Sequence, residues 1–143
     1  MIALTGFFTI ANSPASAASK PVQVLAWYHL QHIKTTKCLE GSISVGIRLG
    51  TCSATNSYQQ FLFDDGTWDS LANSNGFCVE AAPSVGVRPG DCNGTDYQQW
   101  YYYPATGAVQ HMRSRLCLEA ATTVAPRLGE CGINEYQQWW LYA

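Results

Sequence analysis

Short apolar runs separated by turn residues occupy most of the chain, and helical periodicity is absent throughout. Residues 30–34 read Leu-Gln-His-Ile-Lys, and residues 109–113 read Val-Gln-His-Met-Arg. A second kind of run, at residues 46–50, 86–90 and 125–129, ends in glycine each time. Clusters of Gly, Pro, Asn and Asp lie between the runs, as expected for strands joined by tight turns. The pattern predicts an all-β domain of about twelve short strands.

The runs belong to a unit that occurs three times, about forty residues apart. Each unit has a pair of cysteines with thirteen residues between them, followed by a Tyr-Gln-Gln-aromatic motif. The cysteine pairs are Cys38/Cys52, Cys78/Cys92 and Cys117/Cys131, and the motifs are residues 58–61, 97–100 and 136–139. Because a unit of this length rarely buries its apolar side alone, the three copies are expected to assemble around one core.

Composition narrows the class of protein. The 143 residues fit one domain of ordinary size, and charged and aromatic residues each make up 13% of them. Burial must therefore come from Trp, Tyr and Phe rather than from long aliphatic helices. The net charge of −2 shows no basic excess. This argues against non-specific binding to nucleic acid and against attraction to an anionic membrane surface.

The first seventeen residues are typical of an export signal. Residues 2–11 form an apolar run of about ten residues, which is too short to span a bilayer. The following residues, Pro14-Ala15-Ser16-Ala17, supply the small side chains that a signal peptidase prefers. We therefore expect a signal peptide at residues 1–17, a mature domain at residues 18–143, and a secreted protein with no membrane span.

Six cysteines in a small exported domain predict three disulfides. Six cysteines allow fifteen pairings, but a bridge inside each repeat treats the three copies equivalently. Zinc binding is the alternative, and it fits poorly because the chain has no Cys-x-x-Cys motif or Cys/His cluster. The predicted bridges are Cys38–Cys52, Cys78–Cys92 and Cys117–Cys131, with no metal ion or cofactor.

The three motifs of the Q-x-W type, each preceded by a cysteine pair and a Cys-(Leu/Val)-Glu step, resemble the ricin B-chain-like (R-type) lectin family. The resemblance covers essentially the whole mature chain. It implies a β-trefoil with pseudo-threefold symmetry, in which six strands close into a short barrel and three hairpins cap one end. It also implies that the motif aromatics, Phe61, Trp100 and Trp139, pack in the shared core.

In this family each lobe can hold one shallow sugar site. An aspartate two positions after the first cysteine and the glutamine of the motif bind sugar hydroxyls, and an aromatic residue two positions before the second cysteine stacks on the ring. The resemblance places the acidic residue at Glu40, Glu80 and Glu119, each one methylene longer than the family aspartate, and the glutamine at Gln59, Gln98 and Gln137. The stacking position departs from the family, because it is occupied by Gly50, Gly90 and Gly129. The family asparagine before the glutamine is replaced by Tyr58, Tyr97 and Tyr136.

An arginine stands four residues before each second cysteine, at positions 48, 88 and 127. If the two cysteines of each hairpin face each other, strand alternation places the glutamate and arginine on one face, with Glu40 facing Gly50 and diagonal to Arg48. Two readings stay open. The pair is either a cross-strand ion pair that fills the former sugar cleft, with glycine leaving room for the guanidinium, or part of a pocket for a polar or acidic ligand.

Binding is predicted in the second lobe first and the third lobe next, because the second lobe keeps the fullest polar set. The first lobe, with Phe61 in the motif and a longer turn, is expected to have decayed. A tyrosine beside the motif glutamine is expected to serve as the apolar platform. The predicted ligand-binding residues are Glu80, Arg88, Asp96, Tyr97, Gln98, Glu119, Arg127 and Gln137.

The predicted function is that of a secreted carbohydrate-binding module that recognises glycan hydroxyls, with a secreted partner protein as a further candidate. The alternative is a trefoil that has lost sugar binding and acts as a protein-interaction, inhibitor or toxin-associated module. Enzymatic activity is not expected, since the adjacent Asp64 and Asp65 would alternate faces and no cysteine remains for nucleophilic chemistry. His32 and His111 occupy equivalent positions and are predicted to be surface or barrel-mouth residues rather than metal ligands.

Overall fold

The computed structural model describes residues 26–63, 68–132 and 134–143. The export signal expected at residues 1–17 and the pair Asp64 and Asp65 lie outside the described residues. The strands are β1 (Trp27–His32), β2 (Cys38–Ser42), β3 (Gly46–Gly50), β4 (Phe61–Leu62), β5 (Asp69–Ser70), β6 (Ala72–Asn73), β7 (Phe77–Ala82), β8 (Gly86–Asp91), β9 (Gln99–Tyr103), β10 (Ala108–His111), β11 (Cys117–Ala121), β12 (Val124–Gly129) and β13 (Trp139–Tyr142).

The strands divide into three lobes that follow the sequence repeat. The first lobe holds β1–β4, the second β5–β9 and the third β10–β13. Short 3-10 turns at Ser57–Gln59 and Glu135–Gln137 precede the last strand of the first and third lobes, and each is capped by an asparagine side chain. The four-strand unit predicted from the sequence is confirmed in the first and third lobes. In the second lobe its first strand is split into β5 and β6 by the buried Leu71.

Six positions around a barrel are joined by backbone hydrogen bonds. Antiparallel ladders connect β13 with β1, β1 with β4, β4 with β6, β5 with β9, and β9 with β10. At the remaining junction the Trp139 N–H donates to the Gly107 carbonyl oxygen at 2.8 Å. Glycine is required there because Gly107 has a φ of +73° and a Cβ at this position would lie 2.7 Å from the Trp139 carbonyl oxygen. The architecture is the expected β-trefoil.

Three hairpins, β2/β3, β7/β8 and β11/β12, form the cap, and β3, β8 and β12 pack on one another. Each hairpin carries one disulfide, with Cα atoms 5.0 Å apart. The three predicted bridges within the repeats are confirmed. Each bridge ties the first strand of its hairpin to the loop that leads to the Tyr-Gln-Gln-aromatic motif, so it fixes that loop against the hairpin.

The motif aromatics meet in one buried core, as predicted. Phe61, Trp100 and Trp139 are buried together with aliphatic residues of all three lobes: Leu30, Leu39, Leu71, Val79, Val109 and Leu118. Both indoles also satisfy their polar atom, because Trp100 Nε1 donates to the Val79 carbonyl oxygen at 2.8 Å and Trp139 Nε1 donates to that of Leu118 at 2.9 Å. These bonds connect the core directly to the hairpin strands that carry the glutamates.

The junctions between lobes are closed by two histidines and one asparagine. His32 Nε2 bonds to the Tyr136 carbonyl oxygen at 3.0 Å, and His111 Nε2 bonds to that of Tyr97 at 2.9 Å. At the third junction Asn73 Nδ2 donates to the Tyr58 carbonyl oxygen at 3.1 Å. Both histidines are fully buried, so the prediction of a surface position is wrong. An imidazole with a hydrogen bond at each nitrogen is tolerated in the interior.

In the three described segments, no helix combines the length and the hydropathy needed to cross a membrane.

Candidate functional site

The glutamate and arginine of each hairpin lie directly opposite each other. Glu80 pairs with Arg88 across β7 and β8, and the same register pairs Glu40 with Arg48 and Glu119 with Arg127. The diagonal arrangement expected from the sequence is wrong, because it assumed that the two cysteines of each hairpin face each other. Cys78 instead faces Gly90, and Cys92 lies in the loop beyond the end of β8.

Glycine at the stacking position makes room for the glutamate and not for the guanidinium. A Cβ on Gly90 would lie 2.6 Å from both the Glu80 Cδ and its Oε2, closer than real Cβ contacts come. The carboxylates of Glu40 and Glu119 fill the same space beside Gly50 and Gly129. The longer acidic residue and the missing aromatic side chain are therefore one coupled change, in which a carboxylate occupies the place of the aromatic platform.

Both oxygens of each of these carboxylates accept hydrogen bonds within the protein. In the second lobe Arg88 Nε donates to Glu80 Oε1 at 2.7 Å, and Gln98 Nε2 donates to Glu80 Oε2 at 3.1 Å. The first and third lobes repeat this arrangement, with Arg–Glu distances of 2.7 Å and Gln–Glu distances of 2.8 and 3.0 Å. In the first lobe the Asn56 amide also donates to Glu40 Oε2 at 3.3 Å.

The motif glutamine positions this carboxylate from below. Gln98 is fully buried, its Oε1 accepts from the Asn93 N–H at 2.9 Å, and its Nε2 also donates to the Asp91 carbonyl oxygen at 2.7 Å. Gln137 makes the equivalent bonds to Gly132 and Glu130. Both amide hydrogens of Gln98 and of Gln137 are thus used within the protein. The two glutamines position the carboxylates, and their predicted contact with a ligand stays a prediction.

The charge state of Glu80 is fixed by the same contacts. Burial alone would raise the pKa of Glu80, but hydrogen bonds from Gln98 and Arg88 and the positive charge of Arg88 hold it below its ordinary value. The carboxylate is therefore ionised at neutral pH and binds the guanidinium through Nε. The terminal amino groups of Arg88 remain free to donate outward, since no described residue accepts from them and the side chain is 56% exposed.

An open cleft lies beside the ion pair in every lobe. Its volume is about 260 Å³ in the first lobe, 310 Å³ in the second and 160 Å³ in the third. The three clefts share a glutamate, an arginine, an asparagine and a tyrosine in their walls: Glu40, Arg48, Asn56 and Tyr58; Glu80, Arg88, Asn93 and Tyr97; Glu119, Arg127, Asn134 and Tyr136. We call these the hairpin clefts. Their walls contain donors and one aromatic ring each, the combination that fixes a small polar ligand.

The cleft tyrosines of the second and third lobes are each held by a cation from the neighbouring lobe, which is the third lobe for Tyr97 and the first lobe for Tyr136. Arg113 lies over the Tyr97 ring, 4.4 Å from its centroid, and Lys34 lies over the Tyr136 ring at 4.5 Å. Each cation also binds an acidic residue of the same loop, and the Arg113–Asp96 distance is 3.0 Å. Asp96 therefore supports Tyr97 and does not line the cleft, which revises its predicted role as a ligand contact.

The first lobe keeps its cleft but lacks this support. Its tyrosine, Tyr58, is 47% exposed, against 39% for Tyr97 and 42% for Tyr136. Asn75 occupies the position that Lys34 and Arg113 have in the other repeats, and it bonds to the Ser57 hydroxyl. This neutral side chain places no positive charge over the Tyr58 ring. The expected ranking of the lobes stays a prediction, now with a physical basis in the support of the aromatic ring.

Several contributors to the clefts were not identified from the sequence. Arg113 and Lys34 were read only as ends of strands, although their equivalent positions in the repeat were a usable signal. Asn134 and the hairpin residues Val85 and Val124 also line clefts and were not singled out, although both valines stand seven residues before the second cysteine of their repeat. Within the described ranges, no group of three His, Cys, Asp or Glu residues is placed to hold a metal ion.

No curated protein matches this chain. Solved structures that share its fold include one designed protein and two natural ones. The designed threefold-symmetric protein ThreeFoil has a TM-score of 0.67 and 20% identity, over 82% of this chain and 98% of its own. A non-toxic homologue of type II RIPs from Momordica charantia, in complex with α-methyl-D-galactoside, has a TM-score of 0.67 and 16% identity, over 82% of this chain and 48% of its own.

The third structure is the endo-β-galactosidase from Clostridium perfringens that releases GlcNAcα1-4Gal. It has a TM-score of 0.68 and 18% identity, over 82% of this chain and 32% of its own. The chain thus spans less than half of both natural proteins. The family described as the ricin-type beta-trefoil lectin domain matches residues 26–140. Because this match covers most of the sequence, the chain belongs to the ricin-type beta-trefoil lectin family.

Proposed function

We propose that this protein is a secreted, non-catalytic carbohydrate-binding module that holds glycan hydroxyls in its hairpin clefts. The family is one of carbohydrate-binding domains, which supports the general assignment. The second and third lobes provide the main sites. In each site the arginine donates to sugar oxygens and the tyrosine offers its ring to the apolar face of the sugar.

The observation that carries the proposal is the recurrence of an exposed tyrosine and an exposed arginine in one cleft. Tyr97 and Arg88 line the second-lobe cleft together, and Tyr136 and Arg127 line that of the third lobe. The side chains of Arg88 and Arg127 are 56% and 62% exposed, and no described residue accepts from their terminal amino groups. The tyrosine offers the aromatic ring that the hairpin lacks, because glycine occupies the stacking position.

Single clefts of this size are expected to bind weakly. The largest has a volume of about 310 Å³ and opens to solvent, so a bound sugar keeps much of its hydration. Linking several weak sites to one repeating glycan raises the overall affinity without new contacts. The natural ligand is therefore expected to be a polysaccharide or a densely displayed glycan rather than a free sugar.

The test is a glycan-array and polysaccharide-retention measurement on the wild type, Tyr97→Ala, Tyr136→Ala and the double variant. Loss of both platforms should weaken retention at least about tenfold, with smaller effects for each single change because the other lobe still binds. The thermal midpoint should move by only a few degrees, since both rings are substantially exposed. Glu80 and Gln98 are unsuitable targets, because their removal leaves buried partners without hydrogen bonds.

Trp140→Ala is the matched control. Its side chain is 55% exposed and lines none of the hairpin clefts, so this variant should retain glycans as the wild type does. Two results would contradict the proposal: a wild type that binds no glycan, or a double tyrosine variant that binds as tightly as the wild type.

A second candidate function is recognition of a protein by a trefoil that has lost sugar binding. The saturated carboxylates favour it, because each glutamate already accepts bonds from its arginine and glutamine. This candidate requires that the wild type retain no glycan while Arg88→Glu abolishes binding to an identified secreted partner. Glycan retention that depends on Tyr97 and Tyr136 would exclude it.

Secretion is part of the proposal. The apolar run at residues 2–11 with its small-residue site and the three disulfides both fit export to an oxidising compartment. Expression with residues 1–17 present should yield a processed protein outside the cytoplasm, and a start at or near Ala18 by N-terminal sequencing would support the boundary.

A further inference from the structure

A fourth cavity, separate from the hairpin clefts, lies against the Cys117–Cys131 disulfide. Its volume is about 200 Å³, and its walls are mostly apolar. Tyr103 comes from β9 of the second lobe, whereas Ala108, the disulfide, Gln137 and Gln138 belong to the third lobe. Thr106 and Gln138 add polar side chains to its walls. We call this cavity the disulfide pocket.

The equivalent place in the first lobe is filled. Tyr142 occupies the position of Tyr103 in the repeat, and its hydroxyl lies 3.5 Å from the Sγ atom of Cys38. His29 stacks on the Tyr142 ring, with centroids 5.2 Å apart and an interplanar angle of 21°. The tyrosine is thus held against the Cys38–Cys52 disulfide, where the third lobe has an open pocket.

One small residue accounts for the difference. The strand register pairs Tyr142 with His29 but pairs Tyr103 with Ala108, so the third-lobe pocket lacks the imidazole that fills the first. Tyr103 instead donates its hydroxyl to Gln110 Oε1 at 2.9 Å and is 40% exposed. Gln110 is fixed in turn by a 2.9 Å bond from its Nε2 to the Arg115 carbonyl oxygen. Hydrogen bonds therefore hold two side chains that line the open pocket, Tyr103 and Gln110.

The disulfide pocket and the third-lobe hairpin cleft are lined by residues of one segment, 131–132 and 134–137. Cys131, Gly132 and Gln137 line the pocket, and Asn134 and Tyr136 line the cleft. We propose that the disulfide pocket is a second subsite, which binds the next sugar unit of a glycan whose first unit occupies the third-lobe cleft.

The chemistry of the pocket fits a sugar ring better than a charged group. The Tyr103 ring, Ala108 and the disulfide offer an apolar surface to the C–H face of a pyranose, and the Thr106 hydroxyl and Gln138 amide can bond to its hydroxyls. No Lys, Arg, Asp or Glu of the described residues is among the lining side chains. This subsite rests on the proposed function, because it extends a glycan already held by Tyr136 and Arg127.

The test fills the pocket with the residue that the first lobe already carries. Ala108→His and Ala108→Leu are compared with the wild type by calorimetric titration of matched sugars: xylose with xylohexaose, galactose with galactotetraose, and N-acetylglucosamine with chitotetraose. For the pair that the wild type binds, filling the pocket should weaken oligosaccharide binding about tenfold, a loss of roughly 1.4 kcal/mol. Binding of the monosaccharide, measured in the same way, should stay within twofold. Ala108→Leu keeps the test valid if a new histidine disturbs folding.

Tyr136→Ala separates the two proposals, since it should weaken both the monosaccharide and the oligosaccharide. If Tyr136→Ala weakens binding but both Ala108 variants bind oligosaccharides as the wild type does, the subsite is refuted and the hairpin clefts stand. If the wild type binds none of the six sugars, the titration is repeated with the oligosaccharide and monosaccharide of the glycan that it retains most strongly on the array; retention of no glycan at all makes the subsite and the proposed function fail together. Equal weakening of monosaccharide and oligosaccharide by the Ala108 variants would also refute the subsite.

Discussion

At the scale of single residues, His111 shows how a polar side chain is fixed between two lobes. Its Nε2 donates to the Tyr97 carbonyl oxygen, because a carbonyl can only accept, and its Nδ1 lies 2.9 Å from the Ser114 hydroxyl. Burial lowers the pKa of His111 below its ordinary value; the bond to Tyr97 and the charge of Asp96 oppose this effect, and Arg113 adds to it. Burial likewise lowers the pKa of His32 and that of His29.

These histidines make stability depend on pH in a defined direction. Because each is more basic in the unfolded chain, the unfolded state binds more protons below about pH 6.5. The free energy of unfolding should therefore decrease as the pH falls from 7 to 5. The measurement is a series of urea denaturation curves across this range. Loss of stability assigned to Glu80, whose pKa is lowered, should begin only nearer its ordinary value of 4.5.

The matched variant is His111→Asn, since Asn73 already closes the equivalent junction with a 3.1 Å bond to the Tyr58 carbonyl oxygen. Its pH dependence between 7 and 5 should be smaller than that of the wild type. An unfolding free energy that stays constant or rises as the wild type is acidified would show that the buried histidines do not control this range.

At the scale of the hairpin, the sequence showed which residues recur but not how they face each other. The repeat alone predicted the glutamate, arginine and glycine of each hairpin and their common face. The register depends on where the second strand of the hairpin ends. Because β8 ends before Cys92, the residue opposite Cys78 is Gly90 and not Cys92. The sequence predicted Glu80 opposite Gly90, whereas the structure pairs Glu80 with Arg88. It also predicted the guanidinium in the space beside Gly90, which the Glu80 carboxylate occupies.

The corrected register makes Glu80 and Gly90 a coupled pair. Gly90→Tyr alone should destabilise the protein by about 1–3 kcal/mol, because the new side chain displaces the Glu80 carboxylate, whose side chain is only 16% exposed and is hydrogen-bonded at both oxygens. Glu80→Asp alone should cost a similar amount by weakening the bonds to Arg88 and Gln98. The double variant should be more stable than the sum of the two by at least about 1 kcal/mol in urea denaturation.

The control combines Gly90→Tyr with Glu119→Asp, which lies in another lobe and should give an additive loss. If the Glu80→Asp and Gly90→Tyr pair is as additive as this control, the glutamate does not occupy the platform position in solution.

At the scale of the whole molecule, the threefold repeat decided what was predictable. The three disulfides follow from copies that must be equivalent, the trefoil and its shared aromatic core follow from the family resemblance, and the structure confirms all three. Features that break the symmetry depend on contacts between lobes, which the repeat by itself does not show. The support of Tyr97 by Arg113 and the difference between Ala108 and His29 both arise where one repeat meets the next.

The three hairpin clefts therefore differ in their contacts with neighbouring lobes, although their sequences repeat. Tyr97 and Tyr136 are each supported by a cation from the neighbouring lobe, and the loop of the third cleft also lines an additional pocket. A glycan is expected to use these lobes unequally, with its strongest contacts at Tyr97 and Tyr136.

A crystal structure of the protein with the oligosaccharide that it retains most strongly tests the central claim most directly. We expect sugar density against the ring of Tyr97 or Tyr136, with a sugar oxygen within hydrogen-bonding distance of the terminal amino groups of Arg88 or Arg127. Density confined to other surfaces, with all three hairpin clefts holding only water, would contradict the account.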